Sequence, residues 1–349
     1  MNVHIRRKGT FMNYSRVVIT GSVYNLFFNL LVTPEEALES SFYFTCETIH
    51  ESIRKNLSNS LYIPDMHHIG KIKQVEYILK FQYLHKFFYP FLSNAKIYAQ
   101  DHLPFSPLVI GRRSYTLTED GPSGFKSWEK EELVQKAWER KRILDNQKGL
   151  IKIKTDLINP IHNGIFANND QCKEIMITGS YVPDFAKGKK IIRVNLDEQW
   201  SNSSSKKREY ILNIFNLDQS DLQCLQEREV IIFTQPFFED HDVDSLEEHI
   251  DIYREIINNY PNDKVVIKTH PRETTDYNKF FPDVFVFNKP MPFQLLALAG
   301  VRFKEAATVF SSSVLGFPYP IKVNWVGAKI NPKLLRIYGD YIPEELKKK

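Results

Sequence analysis

Two kinds of side chain stand where they could handle a phosphate: an imidazole, His270, and a run of hydroxyls, Ser311, Ser312 and Ser313. Each follows a short apolar run, Val265-Val266-Ile267 in the first case and Val309-Phe310 in the second. An imidazole able to become a cation and a cluster of hydroxyls at a helix start can both stabilise the oxyanion of a departing phosphate, as an activated sugar requires. A third chemistry lies in the other half of the chain, where Glu119 and Asp120 precede Gly121-Pro122. Two acids ahead of a Gly-Pro turn at a strand end would put a carboxylate at the mouth of its domain. The plainer reading is a turn in which Asp120 bonds its own backbone.

These residues need elements that bring strand ends together. Val230–Phe233, the helix-like run 245–260 and the apolar run 265–267 read as strand, helix and strand. That is a βαβ unit, whose ligands bind outside the carboxyl ends of its strands, so His270 and the three serines are expected to line one crevice. The N-terminal half opens in the same way, with a strand Arg16–Thr20, a Gly-Ser loop, a helix over about 24–31 and a strand over 41–46. Gly21 alone makes no GxGxxG fingerprint. Between residues 69 and 92, Ile72, Val75, Ile78, Leu79, Tyr83 and Phe87 recur mostly at three and four, the apolar stripe of a helix, and are expected in the core. Further strands are predicted at 95–100, 108–110 and 114–117. The Asn-rich stretch 151–171, with Pro160 and Gly164, reads as an interdomain linker, and strands at 175–178 and 191–196 as the start of a second α/β series. The expectation is therefore an α/β chain of two Rossmann-like domains, 1–160 and 161–349, with a ligand crevice between them.

Composition agrees with that scale. With 349 residues, 42% hydrophobic and 25% charged, the chain can bury two separate cores. A net charge of +4 and a pI near 8.7 suit an anionic ligand or an acidic membrane surface, and fall short of a nucleic-acid signature. Cys46, Cys172 and Cys224 are far apart and odd in number, so they read as free thiols in a reducing compartment. Arg6-Arg7-Lys8 has no apolar run directly behind it, which argues against a signal peptide and leaves Met12 as an alternative start. Residues 17–32 are too short and too polar for a membrane span. The expected location is cytoplasmic.

With Glu119-Asp120-Gly121, Lys268-Thr269-His270-Pro271 and a serine pair within 311–313 in this order, the chain resembles the bacterial sialyltransferases of glycosyltransferase families 52, 38 and 80. The resemblance spans roughly residues 16–325, and the opening strand, loop and helix are similar to the start of family 52. It implies a GT-B fold with the active site in the cleft between two Rossmann-like domains. It further implies an inverting, metal-independent transfer of a keto-sugar from a CMP donor to an acceptor hydroxyl, with the CMP-sugar as co-substrate and no cofactor. On this resemblance Asp120 is the general base, with Glu119 and Gly121 beside it on the acceptor side. His270 hydrogen-bonds the departing phosphate, and Ser311 and Ser312, with Ser313, supply hydroxyl and N–H groups to it. Lys268 contacts the cytidine, and Pro271 fixes the turn behind the histidine. Related enzymes carry a glutamate for the ribose hydroxyls where Met291-Pro292-Phe293-Gln294 has an amide. Gln294 can make the same hydrogen bonds without charge, or is a surface residue at a helix start.

Other features carry less. Phe233-Thr234-Gln235-Pro236 ends a strand in the same crevice, where Gln235 touches donor or acceptor, or only shapes the loop. Asp242-Val243-Asp244 beside His241 imitates a metal motif, but acids just before a helix start favour the helix dipole, and no metal is expected. His67, His68, His102 and His162 have no partners at ligand spacing and read as surface or loop residues. The basic tail Lys347-Lys348-Lys349, beside apolar residues of 334–342, would attract acidic lipid weakly. The leading functional reading is a sialyltransferase of lipooligosaccharide or capsule synthesis acting on a galactose-type acceptor. A transferase of another CMP-activated acid such as Kdo is the alternative. A non-catalytic glycan- or nucleotide-binding protein is a third, opposed by the pairing of Asp120 with His270, since a binding module needs no base.

Overall fold

The computed structural model describes residues 14–347 apart from 65–68, 122–134, 137–138, 140–141, 144–145, 159–165, 180, 183–185, 187 and 271. The chain divides into two compact units, Met1–Ile214 and Phe215–Lys349. His67, His68, His162, Pro122 and Pro271 lie outside the described residues, as do the N-terminal arginines.

The first unit is built on seven parallel strands, β1 Arg16–Thr20, β2 Ser41–Thr45, β3 Ser60–Tyr62, β4 Lys96–Ala99, β5 Tyr115–Thr118, β6 Cys172–Ile177 and β7 Lys190–Arg193. They lie side by side as β3-β2-β1-β4-β5-β6-β7. Every residue of β1 is buried, as a strand covered on both faces of a parallel sheet must be. Thr20 stands level with Thr45 on β2 and Ile19 with Ala99 on β4, so these strands end side by side. The helix α1, Val23–Val32, starts at Ser22, whose hydroxyl accepts from Asn25 N–H. At its other end the buried Lys207 amine donates to Leu31 O at 2.6 Å and Thr33 O at 2.7 Å, a cation on the negative end of the helix.

Four expectations change here. The break foreseen after residue 160 falls after Ile214, because β6 pairs in parallel with β5 and β7 with β6, completing the first sheet. Lys207, on the helix Ser205–Ile214, fastens that helix to α1 in the same unit. Of the foreseen linker 151–171, the start belongs to a helix, Gly149–Ile158. Residues 108–110 close a short helix, Ser106–Ile110, begun by Pro107 in its first turn and stopped at Gly111, whose φ is +56°. The apolar stripe of residues 72–87 is helical but faces outward. Ile72, Val75, Leu79, Tyr83 and Phe87 are exposed, while Tyr77, Ile78 and Phe81 pack on the core. The segment is apolar on two faces, and the face carrying the fully buried Phe81 is the one that docks.

The second unit repeats the plan with five parallel strands, β8 Val230–Phe233, β9 Val265–Lys268, β10 Phe285–Phe287, β11 Glu305–Thr308 and β12 Lys322–Trp325, ordered β10-β9-β8-β11-β12. The connecting helix Leu246–Ile257 is capped by Ser245 and buries Ile250, Tyr253, Ile256 and Ile257 against Val265, Ile267 and Tyr277. Phe233, Lys268 and Thr308 end their strands level with one another. In both sheets the order reverses between the first strand and its neighbour on the far side, β1 and β4 in one, β8 and β11 in the other. Such a switch point opens a crevice at the carboxyl ends of the strands.

Candidate active site

In the first unit the two acids after β5 have separate fates. Glu119 is 1% exposed. Its Oε1 accepts from Tyr24 OH at 2.5 Å and Thr178 Oγ1 at 2.7 Å, and its Oε2 from Thr178 N–H at 2.8 Å. Burial pushes the Glu119 pKa up, although all three bonds favour the carboxylate. Its oxygens are spent on stitching β5, α1 and the end of β6 together. Asp120 keeps 33% of its side chain exposed. Its Oδ1 accepts from Gln100 Nε2, at the end of β4, and its Oδ2 lies 3.8 Å from His102 Nε2.

The supports of Asp120 reach back to α1. Gln100 accepts from Gly21 N–H at 2.5 Å, so one amide links the ends of β1 and β4 to the carboxylate. Gly21 is required there by close approach, since a Cβ would stand 2.6 Å from Leu103 Cδ2. Asn25 donates to Thr118 Oγ1 at 2.9 Å and to Glu119 O at 2.7 Å. His102 stacks on Phe166 with ring centroids 5.0 Å apart. The buried Asp101 holds that phenylalanine by accepting Phe166 N–H at 2.7 Å and Ala167 N–H at 2.8 Å, both at positive φ. His102, expected as an indifferent loop residue, thus borders Asp120. Gly121 has no such constraint, because a Cβ there would meet nothing within 4 Å.

In the second unit His270 leaves β9 on a turn held from beneath. Its N–H donates to Glu273 Oε2 at 2.5 Å and Thr234 Oγ1 at 3.2 Å. Its Nδ1 accepts from Arg272 N–H at 3.2 Å. A neutral imidazole whose Nδ1 accepts carries its proton on Nε2, so the ring is set as a donor through Nε2. Burial, then Arg272 and Lys268, lower its pKa, which favours that neutral form. Arg272 grips Asp240 through two bonds of 2.7 and 2.9 Å. Glu273 also takes Thr234 Oγ1 and, at 2.7 Å, Tyr277 OH, which lies 2.7 Å from His249 Nε2. Burial pushes Glu273 up to about 7.

The serines follow β11. Ser311 N–H donates to Thr308 Oγ1 at 2.9 Å, and Ser311 Oγ accepts from Ser313 N–H at 3.3 Å. A single 3-10 turn, Ser312–Leu315, stands where a helix start was expected, so hydroxyls and not a helix dipole are offered to an anion. The Ser312 side chain lies outside the described residues. Gln235 Oε1 accepts from Phe310 N–H at 3.0 Å and so joins the ends of β8 and β11. Gln294 is buried, not a surface residue, and faces the serine turn: a Cβ on Gly316 would stand 3.4 Å from Gln294 Nε2 and 2.8 Å from Phe293 Cζ. Lys268 ends β9. It is buried, its amine donates to Thr269 O at 2.9 Å and lies 5.8 Å from the Phe287 ring centroid, and burial lowers it to about 8. Asp242 takes Tyr338 OH and Asp244 pairs with Lys333 at 2.6 Å. No group of three or more His, Cys, Asp or Glu gathers at metal-holding distance among the described residues.

Sequence reasoning brought out Asp120, His270 and the serines but passed over Gln100, His102, Glu273 and Arg272. Glu273 had a signal, standing three residues after His270, where a turn brings a side chain back to the backbone N–H. Gln100 and His102 had none, because only the pairing of β4 with β5 makes them neighbours of Asp120.

Over residues 109–334 the chain matches the model of glycosyltransferase family 52. It is 31% identical over 250 residues to an uncharacterized protein of Haemophilus influenzae, covering 71% of this chain and 74% of that one. Among solved structures it is similar to the 2,6-sialyltransferase of Photobacterium sp. JT-ISH-224, in a ternary complex with the donor product CMP and the acceptor substrate lactose. The TM-score is 0.56 at 12% identity, over 92% of this chain and 75% of that one. The α/β-galactoside α-2,3-sialyltransferase of Photobacterium phosphoreum gives 0.53 at 12% identity, over 93% and 94%. A sialyltransferase from Photobacterium damsela gives 0.52 at 12%, over 93% and 80%. At this identity the likeness shows the fold, the two-domain GT-B architecture that the motif resemblance implied.

Proposed function

Because the chain belongs to glycosyltransferase family 52, we propose that it is an inverting, metal-independent sialyltransferase. It moves sialic acid from CMP-sialic acid to a hydroxyl of a galactose-type glycan, in lipooligosaccharide or capsule synthesis. The observation that carries this reading is a division of labour between carboxylates. Glu119 is consumed by three internal bonds, whereas Asp120, at a strand end, keeps a partly exposed carboxylate oriented by Gln100. A similar fold whose solved complex holds CMP and lactose supplies the substrate class.

The chemistry follows from these groups. Asp120 takes the proton of the acceptor hydroxyl as its oxygen attacks the anomeric carbon of the sugar, while the bond from that carbon to the CMP phosphate oxygen breaks on the opposite face. One displacement inverts the centre. The departing phosphate gains charge, and His270, with its proton on Nε2, donates to it without first having to be a cation. Ser311, whose oxygen already accepts from Ser313 N–H, has its hydroxyl proton left to give to the same phosphate. Gln294, beside the serine turn, is placed for ribose hydroxyls, and Gln235 holds the turn in position. Lys268 ties down the Thr269 carbonyl beside His270. No step requires a metal or a cofactor. A cytoplasmic location, with weak peripheral attraction of the basic C-terminal tail to an inner membrane face, belongs to the same reading. Its support is the exposed Ile337, Tyr341 and Ile342 ahead of that tail, together with the three free cysteines. No helix among the described residues is long and apolar enough to cross a membrane.

The test is CMP release in EDTA from CMP-sialic acid and from CMP-Kdo, with a panel of galactose-terminated acceptors, alongside calorimetry of CMP and UDP. The reading expects acceptor-dependent release from CMP-sialic acid and tighter binding of CMP than of UDP. Release from CMP-Kdo alone moves the donor to that sugar. Failure of CMP to bind at about millimolar concentration, a weak affinity near 4 kcal/mol, removes the cytidine assignment.

A further inference from the structure

Behind the turn that carries His270 lies a sealed row of polar groups that the transfer step itself does not use: Glu273, Tyr277 and His249. The side chains of Glu273 and His249 are both 0% exposed, and Tyr277 is fully buried. The Tyr277 hydroxyl stands 2.7 Å from Glu273 Oε1 and 2.7 Å from His249 Nε2, and His249 Nδ1 meets no hydrogen-bond partner among the described residues. That orphan fixes the direction of the row. A bare lone pair at Nδ1 costs less than a bare N–H, so the His249 proton sits on Nε2 and goes to the Tyr277 oxygen, and Tyr277 donates to Glu273. The other carboxylate oxygen, Oε2, accepts from His270 N–H at 2.5 Å and from the Thr234 hydroxyl. Here Glu273 can take a proton without any group moving. A proton on Oε2 donates to Thr234 Oγ1, which still accepts His270 N–H at 3.2 Å and turns its own hydrogen to Lys268 O, 3.5 Å away. The Tyr277 and His249 bonds stay as they were. Each donor of the row is matched in both charge states, so the turn keeps one shape with either.

The surrounding charges decide which state is present. Glu239, on the loop after β8, opposes the carboxylate, and Lys268, at the end of β9, favours it. His249 and Tyr253, on the helix Leu246–Ile257, are held neutral by burial, and Arg272 and Asp240 pair with each other. Burial outweighs the bonds that favour the carboxylate and pushes Glu273 up to about 7, so a modest change of local charge recharges it near neutral pH. An anion at His270 Nε2 is one side chain away, since Glu273 holds the backbone N–H of that same residue. We propose that Glu273 takes up a proton when the CMP phosphate docks, which couples donor binding to the charge of a buried acid behind His270. The step moves one proton from solvent to Glu273 Oε2 and breaks no other bond. It removes a negative charge from behind a phosphate that becomes more negative as the sugar leaves. The inference rests on the reading that CMP binds at His270.

At an effective dielectric of about 20, one negative charge about 10 Å away shifts a proton equilibrium about tenfold. An acid half-protonated at about pH 7 then becomes half-protonated at about pH 8, and at about pH 7.5 it gains about half a proton as CMP binds. The experiment is infrared difference spectroscopy of the full chain on adding CMP, read in the carbonyl stretch of a protonated carboxyl, which stands apart from carboxylate bands, with calorimetry on the same samples. The expected result is a band that grows by about half of one carboxyl at about pH 7.5 and by about a tenth at about pH 6, where the acid is already protonated. It should shift when the protein's glutamate carboxyls carry heavy carbon, stay in Glu239→Gln and be missing in Glu273→Gln. The heavy-carbon shift assigns the band to a glutamate in the parent protein, so the result stands even if a variant folds poorly. CMP heat with no band, a band unmoved by the label, a band kept in Glu273→Gln, or one lost only in Glu239→Gln overturns the inference and leaves the donor reading in place. No CMP heat in the parent overturns both.

Discussion

Replacing each of the two adjacent acids by its amide tests the proposed base, Asp120, against the internally bonded Glu119. In Glu119→Gln, one oxygen that accepts two hydroxyl protons, or the other that accepts Thr178 N–H, becomes an NH2 group. The less costly orientation puts the amide nitrogen toward Tyr24 and Thr178 Oγ1, whose hydroxyls can turn, and keeps the oxygen on the backbone N–H, which cannot. One or two charge-assisted bonds are then weakened in a buried site, a cost of about 1–2 kcal/mol. In a unit of this size that lowers its melting temperature by about 2–8 °C. Asp120→Asn keeps an oxygen for Gln100 Nε2 in a partly exposed position and should cost less than about 1 kcal/mol. It removes the proton acceptor, so transfer should slow by about 10²–10⁴-fold with CMP affinity unchanged. Steady-state CMP release, calorimetry and thermal melts on both variants and the parent give all these quantities. A transfer rate lost in Glu119→Gln and kept in Asp120→Asn would refute the assignment and move the base by one residue.

Three further outcomes concern the second unit. His270→Ala should lower turnover by about 10²–10³-fold, the usual worth of a positioned oxyanion donor, with the fold intact because Glu273 and Thr234 hold the backbone N–H and not the ring; near-parental turnover would make the turn purely structural. Glu273 rises to about 7 from an ordinary 4.5, so the stability it adds is complete below pH 4.5 and is lost as pH rises through 7, while His249, lowered by burial to about 4 from 6.5, adds stability that is complete above 6.5 and lost as pH falls through 4. Between pH 4.5 and 6.5 the two slopes oppose each other, so the parent should be nearly flat there in this respect, and Glu273→Gln should uncover a rise in stability with pH of up to about 1.4 kcal/mol per unit, read from urea melts at several pH values; a parallel profile would remove Glu273 as a titrating group. Gly316→Ala puts a Cβ 2.8 Å from Phe293 Cζ and 3.4 Å from Gln294 Nε2, and should cost about 1–3 kcal/mol and weaken CMP binding, whereas unchanged melting and affinity would mean that the ring gives way freely and Gln294 does not meet the nucleotide.

The sequence by itself determined the local order of the chain and the chemistry available at strand ends. β1, α1, β2, β8, the helix Leu246–Ile257 and β9 are where apolar runs and caps place them, because short buried strands and capped helices are specified by neighbours in sequence. Asp120, His270 and Ser311 were legible for the same reason, each standing directly after such a run. What only the tertiary structure decided depends on which strands pair and which faces dock. Pairing of β6 with β5 moved the unit boundary to Ile214, and it delivered Thr178 to Glu119, which consumed that acid and left its neighbour partly exposed. The same sheet brought Gln100 and His102 to Asp120 across about twenty residues of chain, a separation that no local pattern encodes. The stripe of residues 72–87 shows the limit most plainly. Periodicity finds an apolar face, but a segment apolar on two faces has one docking choice, and the buried ring of Phe81 against Tyr89 and the first core made it.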